Sequence, residues 1–281
     1  MRDDFAVFIL SHGRANNIVT ISTLRKCDYT GKIYIIIDNL DEQINIYKKK
    51  YGNSVIIFNK EEESKKSDTF DNEQDLRIVL YARNICHEMA SKLGLTYFLE
   101  LDDDYTTFQF RYAEGTTLKA INCKQLDKVF NAFIDFLDAS GAVTVAMAQG
   151  GDYLGGINSA VWRKKLTRKA MNSFFCRTDK PFKFLGKINE DVNAYVTLGS
   201  QGKLFFTVGK VELEQGTTQK NEHGLTDVYL KYGTYVKSFY SVMCMPSAVK
   251  ISTMGATDRR IHHNIQWENT VPKIISSTYK K

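Results

Sequence analysis

Three aspartates, Asp102–Asp104, directly follow the apolar run of "TYFLELDDD". Adjacent negative charges repel one another, and a solvated turn does not require three of them. Mg²⁺ and Mn²⁺ bind carboxylate oxygens of a protein together with phosphate oxygens of a substrate, which offsets that repulsion. Acids also favour the first turn of a helix, but no clear apolar helical run begins at Tyr105. The triplet therefore predicts metal or phosphate chemistry.

A second acidic pair, Glu190 and Asp191, lies in "INEDVNAY". One of these carboxylates can act as a general base or orient the hydroxyl of an acceptor. The pair also suits the first turn of the amphipathic helix that the following residues predict, where acids complement the helix dipole. The aspartate triplet upstream favours the functional interpretation.

Polar residues after the first strand and within one helix are candidates for binding a phosphorylated ligand. The loop "LSHGRANN" is not a Walker loop and lacks the G-x-G-x-x-G dinucleotide fingerprint. It does offer Ser11 and Arg14, and the guanidinium of Arg14 can bind a diphosphate or a base, or form a surface salt bridge. Arg83 and Asn84 of "YARN" are polar within an apolar helical turn. They either contact phosphate or ribose, or cap neighbouring carbonyls.

Two adjacent histidines, His262 and His263, follow Arg259 and Arg260 and precede Trp267. A histidine can complete a cation site that carboxylates begin. Next to two arginines, the pair can equally bind phosphate or simply be exposed. The remaining histidines are interpreted as ordinary loop or helix residues: His12, His87 and His223.

The elements that position these candidates alternate between strand and helix patterns in the first hundred residues. Apolar strands alternating with helices predict an α/β fold whose parallel sheet is covered on both faces. Ligands of such sheets bind beyond the carboxyl ends of the strands, so Ser11–Arg14, Asp38 and the three aspartates are expected to converge on one crevice. The predicted strands are 4–11, 31–39, 53–60 and 95–104, and the predicted helices are 16–27, 41–52 and 72–94.

The second half of the chain is less regular. Residues 227–251 mix helix and strand signals, and residues 216–226 are polar and predicted to be mobile. No repeat or clear boundary divides the chain, so we predict one domain with a C-terminal extension at 252–281. The other predictions are a helix at 123–140, a strand at 141–149, a glycine-dense loop at 150–156, a helix at 189–202 and one or two strands within 203–215.

The composition of the 281-residue chain is that of a globular protein, with 43% hydrophobic and 25% charged residues. Its apolar runs are strand-sized, well short of the ~20 residues of a membrane helix, and no signal peptide is recognised. Five scattered cysteines without a C-x-x-C motif indicate reduced thiols. We therefore expect a cytoplasmic protein without a membrane segment. The net charge of +6 fits a polyanionic partner, or ordinary solvated lysines.

Taken together, these segments resemble a known family of enzymes. "FILSHGR", "IYIIIDN", "YARN", "YFLELDDD" and "NEDVNAYVTLG" resemble a GT-A glycosyltransferase, in order and spacing, over nearly the whole chain. More narrowly, "FLGKINEDVN", "TTQKNEHG", "YGTYVKSFYSVM", "PSAVKI" and "RRIHHNIQWENTVPKII" resemble the TET-associated and DNA arabinosyl- or glucosyltransferases of phages, which act on hydroxymethylated pyrimidines in DNA. The resemblance implies a GT-A fold with a nucleotide-sugar half at 1–108, an acceptor half at 109–251 and the extension at 252–281.

The resemblance also implies a UDP-sugar donor, a Mn²⁺ or Mg²⁺ cofactor and roles for individual residues. Asp191 matches the general base of inverting members, and Glu190 is its neighbour near the acceptor. In a retaining enzyme, Asp191 would instead steady an oxocarbenium-like sugar, and the sequence leaves this choice open. On the donor side, Asp102 and Asp104 match the cation ligands, and one of His262 and His263 matches a metal or diphosphate ligand. Asp103 matches a residue that contacts ribose or sugar, and Asp38 one that contacts uracil or ribose. Ser11 and Arg14 match nucleotide contacts, and Arg83 matches an arginine that faces the donor.

A DNA acceptor requires the enzyme to reach into the major groove or to flip the base out. The glycine-dense loop would let the backbone approach the acceptor, with Gly151 and Tyr153 as contacts. A carbohydrate or lipid-linked acceptor, a sugar nucleotidyltransferase and a catalytically inactive DNA-binding module remain alternatives, and the oligomeric state stays open. The residues expected to contact DNA phosphates are Arg163, Lys164, Lys165, Arg168 and Lys169.

Overall fold

The computed structural model of the chain describes residues 1–71, 75–215, 236–254 and 260–273. Short 3₁₀ turns lie at Gly52–Ser54, Gly150–Tyr153, Gly156–Asn158 and Trp267–Asn269. The strands are β1 (Phe5–Leu10), β2 (Lys32–Asp38), β3 (Val55–Phe58), β4 (Tyr97–Asp102), β5 (Tyr105–Glu114), β6 (Thr117–Asn122), β7 (Thr144–Ala148), β8 (Leu166–Thr167), β9 (Ser173–Arg177), β10 (Phe205–Gln215), β11 (Val249–Met254) and β12 (Arg260–Ile265). The helices are α1 (Val19–Lys26), α2 (Ile44–Tyr51), α3 (Lys60–Ser64), α4 (Leu80–Lys92), α5 (Leu126–Ser140), α6 (Ala160–Lys164), α7 (Glu190–Ser200) and α8 (236–244).

One sheet runs through both halves of the described chain, in the order β3-β2-β1-β4-β9-β7-β10-β5-β6, with β8 paired to β10. β1 pairs in parallel with β2 and β4, β2 with β3, and β7 with β10. Because β9 runs antiparallel to both β4 and β7, strands β3, β2, β1, β4, β7 and β10 all point the same way. The predicted fold class, a largely parallel central sheet flanked by helices, is confirmed.

Both faces of this sheet are covered, as the all-apolar sequence of β1 requires. Side chains alternate between faces along a strand, so Ala6, Phe8 and Leu10 enter one core while Phe5, Val7 and Ile9 enter the other. Helices α4 and α7 cover the first face, and α1, α2 and α5 cover the second. Full burial of each such large apolar side chain contributes about 1.5–3 kcal/mol, which fixes the strand ends where the polar residues lie.

Some elements differ from the predictions. The helix predicted at 72–94 begins at Leu80, and the residues after the aspartates form the hairpin of β5 and β6, for which no strand was predicted. β9 inserts between β4 and β7 in the direction opposite to both. Residues 227–251 contain a helix at 236–244 followed by β11, in keeping with their mixed signals.

The C-terminal part adds a two-stranded antiparallel sheet of β11 and β12. The ring of Trp267, just after β12, stacks on Tyr195 of α7 with 5.9 Å between ring centroids, which joins this extension to the main body. The predictions for 216–226, for His223 and for Arg259 lie outside the described residues. No helix among the described residues is both long and apolar enough to cross a bilayer.

Candidate active site

The carboxyl ends of β1, β2 and β4 meet at one edge of the sheet. The hydroxyl of Ser11, which follows β1, donates a 2.6 Å hydrogen bond to Asp103, which follows β4. The imidazole of His12 lies 2.8 Å from a carboxylate oxygen of Asp38, the last residue of β2. The polar loops therefore converge here, as the parallel strand order predicts.

The three aspartates do not point the same way. The side chain of Asp103 is only 5% exposed, whereas those of Asp102 and Asp104 are 24% and 23% exposed. Asp103 turns inward, where it accepts hydrogen bonds from Ser11 and, at 2.7 Å, from the guanidinium of Arg14. The outer two carboxylates thus face the opening, while the middle one holds the first loop in place. Contact of Asp103 with ribose or sugar stays a prediction.

Burial, assisted by the neighbouring negative charge, raises the pKa values of Asp103 and Asp104. Burial raises the pKa of Asp103 to about 6, although Arg14 and Ser11 act in the opposite direction. Burial, followed by repulsion from Asp102, also raises the pKa of Asp104. The Asp104 carboxylate has one neutral hydrogen-bond donor, the amide of Gln215 at 2.9 Å. A cation placed against Asp102 and Asp104 would relieve this repulsion.

The donor set fits Mg²⁺ or Mn²⁺ held partly by a substrate. Among the described residues, no group of three or more His, Cys, Asp or Glu side chains is arranged to hold a metal by itself. Mg²⁺ commonly takes only one or two carboxylates and completes its shell with substrate phosphates and water. Asp102 and Asp104 supply that number of carboxylates on the accessible side of the site.

His262 and His263 lie on β12, where their rings stack with 4.2 Å between centroids. Burial, and then the positive charges of Lys237 and Lys169, help to lower the pKa of His263 to about 4. The cations that act on His263 make its surroundings unfavourable for a metal ion. The structure thus does not gather the two histidines with Asp102 and Asp104 into one described metal cluster, and their role as ligands stays a prediction.

Asp38 is a buried anchor rather than an open contact. It is 3% exposed and accepts hydrogen bonds from Lys60 at 2.9 Å and from the backbone N–H of Leu40 at 3.1 Å, besides its contact with His12. Burial alone would raise its pKa, but His12 and Lys60 lower it to about 2. The group that faces the opening here is His12, whose side chain is 52% exposed. Contact of Asp38 with uracil or ribose stays a prediction, and His12 is the more accessible of the two groups.

The first loop is held by residues of the following helix region that sequence patterns did not single out. Asp41 accepts a hydrogen bond from the backbone N–H of Gly13 at 2.8 Å. The Gln43 amide accepts from Ala15 N–H at 2.9 Å and donates to the Gly13 carbonyl at 2.8 Å. The hydroxyl of Tyr47 contacts Ser11 and accepts from Arg14 N–H at 2.9 Å. Gly13 has φ of +67°, a conformation that favours glycine, so the loop shape depends on this residue.

Arg83 links the two acidic motifs. Its Nε donates to Glu190 at 3.1 Å and its Nη2 to Asp102 at 3.3 Å. The guanidinium is 3% exposed and lies over the ring of Phe174, 5.0 Å from the centroid. Burial opposes its charge, but Asp102 and Glu190 keep its pKa above the ordinary value. The aspartate triplet and the Glu190–Asp191 pair are therefore two sides of one site.

Two further residues surround this arginine. Glu100 on β4 is fully buried, and its oxygens have no hydrogen-bond partner among the described residues. One of them lies 3.9 Å from Nη1 of Arg83, which likewise has no hydrogen-bond partner in the described part of the chain. Burial raises the pKa of Glu100 to about 8. Only the packing of α4 on β4 reveals this acid, because its place inside an apolar strand gives no functional signal. Asn84 instead binds the backbone of Phe184 through both amide atoms, at 3.2 and 2.8 Å, which is a structural role.

Asp191 is buried at the start of α7 with few partners. Asn189 precedes the helix with φ of +54°, and its side chain donates to the carbonyl of Lys237 at 2.8 Å, which ties the helix start to α8. Asp191 is 9% exposed and accepts a 2.7 Å hydrogen bond from the backbone N–H of Val192. Burial, then repulsion from Glu190, raises the pKa of Asp191 to about 7. A carboxyl group in this state can take up a proton at neutral pH.

The loop after β7 approaches the same region. Arg168, in the segment after β7, lies 5.6 Å from the ring centroid of Trp267, and Trp267 in turn stacks on Tyr195 of α7. Gly151 is exposed, whereas Tyr153 is 7% exposed and lies under the guanidinium of Arg111, 5.0 Å from its ring centroid. Gly151 is thus accessible to an acceptor, and Tyr153 supports the loop from below.

The basic segment splits into two groups. Arg163, Lys164 and Lys165 are exposed. Arg168 donates to the carbonyl of Trp267 at 2.7 Å, and Lys169 forms an ion pair with Asp152. The first group is free for phosphate contacts, whereas the second serves within the protein. All five remain predicted DNA contacts, with the geometry favouring the first three.

The sequence matches the family model of the TET-Associated Glycosyltransferase over residues 5–224. This chain belongs to that family. It is a glycosyltransferase, as its resemblance predicts, and the acids that Arg83 brings together form its candidate active site. The family does not support the alternatives of a nucleotidyltransferase or an inactive DNA-binding module. No curated protein matches the sequence.

Two solved structures show a distant likeness to this glycosyltransferase. Glucosyl-3-phosphoglycerate synthase from Mycobacterium tuberculosis, in complex with Mg²⁺ and UDP, is 10% identical with a TM-score of 0.44, covering 93% of this chain and 87% of that chain. GalNAc-T7 with UDP, GalNAc and Mn²⁺ is 10% identical with a TM-score of 0.47, covering 84% and 49%. At TM-scores below 0.5, the strand order and directions of this chain, rather than these likenesses, define its fold.

Proposed function

We propose that this glycosyltransferase moves a sugar from a UDP-sugar to the hydroxymethyl group of 5-hydroxymethylcytosine in DNA. The observation that carries the proposal is the bridge of Arg83 between Asp102 and Glu190. The bridge supports the proposal because it links Asp102, suited to the cation of a donor diphosphate, to the start of α7, where Asp191 is a buried acid suited to an acceptor hydroxyl. The family name and the exposed cations of the segment after β7 support DNA as the acceptor. A phage origin and a cytoplasmic location belong to the same proposal.

On the donor side, Asp102 and Asp104 would hold Mn²⁺ or Mg²⁺ against the diphosphate. When bound, the cation supplies charge neutralisation for the departing nucleoside diphosphate. Arg14, which is 32% exposed and paired with Asp103, can turn to a phosphate oxygen at small cost. Asp38 ends β2, and His12, from the loop after β1, contacts it; we place the nucleoside beside this pair.

On the acceptor side, the Asp191 carboxylate takes the proton of the hydroxymethyl group while the oxygen of that hydroxymethyl group bonds to the anomeric carbon of the sugar. The bond from that carbon to the diphosphate breaks, and the pair of electrons leaves with the diphosphate. This describes transfer with inversion. In transfer with retention, Asp191 would steady the positive charge on the sugar, and Asp191 would not need to accept the proton.

The proposal is tested with a panel of UDP-sugars, Mn²⁺ or Mg²⁺, and duplex DNA carrying 5-hydroxymethylcytosine, followed by nucleoside mass spectrometry. The expected product is a 5-hydroxymethylcytosine nucleoside with one added sugar, absent from DNA with unmodified cytosine. NMR of the product nucleoside reports the anomeric configuration. Donor hydrolysis with no transfer to any modified DNA would contradict the proposal and favour a carbohydrate or lipid-linked acceptor.

A further inference from the structure

Two lysine ammonium groups converge on one indole ring near the loop after β7. Nζ of Lys165 lies 4.0 Å from the ring centroid of Trp162, and Nζ of Lys210 lies 4.7 Å from it. Trp162 is 8% exposed, while both lysines are exposed. A cation over an indole ring gains about 0.5–1 kcal/mol at an exposed site, which holds each ammonium near the ring. The two ammonium groups therefore lie within about 9 Å of each other.

These positive charges have no acidic counterpart in the structure. Across residues 1–71, 75–215, 236–254 and 260–273, no ion pair involves Lys165, Lys210, Arg163 or Lys164. Like charges this close repel each other, and a bound anion would turn that repulsion into attraction. Lys210 lies on β10, 45 positions beyond Lys165, so the pair arises only in the folded chain and no basic run in the sequence marks it.

The backbone that carries Lys165 and Lys210 has an unusual local geometry. Lys165 ends α6 with φ of +63°, an uncommon conformation for a residue with a side chain. Its carbonyl accepts a 2.8 Å hydrogen bond from the N–H of Gly209, at an irregularity of β10 between Val208 and Glu212. A Cβ on Gly209 would lie 2.5 Å from the carbonyl oxygen of Val161, so only glycine lets the two segments meet. Such local strain is typical of functional surfaces.

The surface lies on the acceptor side of the candidate site. Residues 149–172 leave the sheet at the carboxyl end of β7 and return to it at the start of β9, at the same edge, because β9 runs antiparallel to β7. Within this excursion, Lys169 is paired with Asp152, and Arg168 donates to the carbonyl of Trp267, whose ring stacks on Tyr195 of α7. A polymer that approached α7 along this excursion would pass the lysines.

We propose that Trp162, Lys165 and Lys210, with the adjacent Arg163 and Lys164, form a phosphate platform that binds the backbone of the acceptor DNA. This rests on the proposed function for the identity of the polymer. It adds Lys210 and Trp162 to the acceptor surface and assigns Arg168 and Lys169 to internal support. Unpaired cations on a rigid ring suit repeated phosphates, which need charge at fixed spacing but no base-specific contact.

The test measures affinity for a labelled DNA duplex without donor, in a salt series, so that binding is separate from sugar transfer. The variant Lys165→Gln/Lys210→Gln is compared with Lys48→Gln/Lys49→Gln, which changes the same charge at two exposed lysines of α2. Loss of two phosphate contacts is expected to lower the slope of log affinity against log salt by about 2. The ratio of the DNA affinity of the unsubstituted protein to that of the Lys165/Lys210 variant should then fall about tenfold between roughly 50 and 200 mM salt.

An unchanged slope in the Lys165/Lys210 variant, or an equal change in the Lys48/Lys49 control, would overturn the proposal. So would loss of binding to vesicles of anionic lipid with DNA affinity unaltered. If the double variant does not fold, Lys210→Gln alone, outside the strained turn, is expected to lower the slope by about 1. A lowered slope with no sugar transfer to modified DNA would keep the platform and reject only the proposed reaction.

Discussion

Two buried aspartates at opposite ends of the candidate site show opposite behaviour. Asp38 is 3% exposed and Asp191 is 9% exposed, so burial alone does not separate them. Asp38 has Lys60, His12 and a backbone N–H as partners, and its pKa falls to about 2. Asp191 has the N–H of Val192 and a like charge beside it, and its pKa rises. His12 and Lys60 keep Asp38 charged in spite of burial, whereas burial and the like charge of Glu190 raise the pKa of Asp191, which has fewer partners.

The two ends of the candidate site differ in how many partners their buried polar groups have. The end near β1 and β2 is a network of paired polar groups that holds its shape, which suits the nucleotide binding proposed above. The end at α7 leaves an acid poorly solvated, which costs stability but keeps a group able to accept a proton. Arg83 lies between the two ends and shares its charge between Asp102 and Glu190. Four predictions follow this contrast from the largest expected effect to the smallest.

Substitution of Asp191 by Asn should abolish most transfer, because the amide cannot accept the acceptor's proton. General-base catalysis contributes on the order of 10²- to 10⁴-fold, so we expect kcat to fall by that amount with donor KM nearly unchanged. The measurement is steady-state transfer to modified DNA. As a control, Asp179→Asn changes an exposed acid paired with Arg177 and should leave kcat unaltered. A fall of less than tenfold in Asp191→Asn would show that another group accepts the proton.

Removal of the bridge should be the largest structural change. Arg83→Met leaves Glu100 and Glu190 buried without their cation, and breaking a buried ion pair in this way costs about 3–5 kcal/mol. Urea unfolding measures the free energy. Arg177 is a matched comparison, since it also contacts two carboxylates, those of Asp138 and Asp179, but near the surface. Arg177→Met should cost at most about 1 kcal/mol, and equal losses in both variants would contradict the contrast.

The two aspartates should respond to pH with opposite signs. The folded pKa of Asp38 is depressed, so its contribution to stability is full above the unfolded pKa of 3.8 and is lost as the pH falls toward about 2. The difference in the free energy of unfolding between the unsubstituted protein and Asp38→Asn should therefore decrease by about 2 kcal/mol as the pH falls across that window. The folded pKa of Asp191 is raised, so its ionisation destabilises the folded state increasingly from about pH 4 toward about 7.

Asp191→Asn should accordingly gain stability over the unsubstituted protein as the pH rises through that range, on the order of 2–4 kcal/mol by neutral pH. Urea unfolding from about pH 2 to pH 8 follows both differences in one series of measurements, because it covers the windows of both pKa shifts. The same variant would thus be more stable and less active. Parallel pH profiles for the two Asn variants would show that burial, rather than the partners, sets these pKa values.

The donor end of the site follows closely from the sequence, and the rest does not. Strands buried on both faces have continuous apolar sequences, so the ends of β1, β2 and β4, and the polar residues there, can be placed from pattern alone. The antiparallel direction of β9 cannot, because a short apolar strand such as "SFFCR" carries no directional signal. The pairing of Arg83 with Glu190 needs α4 and α7 to pack on the same face, which no local pattern specifies.

Individual partners show the same limit. Asp38 and Ser11 are recognisable as polar residues at strand ends, but their actual partners, Lys60 and Tyr47, come from elements whose docking is decided by the core. His12 has an ordinary loop context in the sequence and becomes a candidate only because β2 brings Asp38 beside it. Residue types alone thus predicted the position of the candidate site. Which of its carboxylates is charged depends on tertiary packing.

The smallest effect is expected at the satisfied end. Ser11→Ala removes the hydroxyl that donates to Asp103, but Arg14 still pairs with that carboxylate. A hydrogen bond to a charged group is worth about 1.5–3 kcal/mol, and the remaining partner should hold the loss in urea unfolding near the lower limit. Ser22→Ala, which removes an exposed hydroxyl on α1, should change stability by no more than about 0.5 kcal/mol. A loss at Ser11 as large as that at Arg83 would mean that the first loop depends on a single hydrogen bond, and the contrast between a redundant donor end and a sparsely partnered acceptor end would fail.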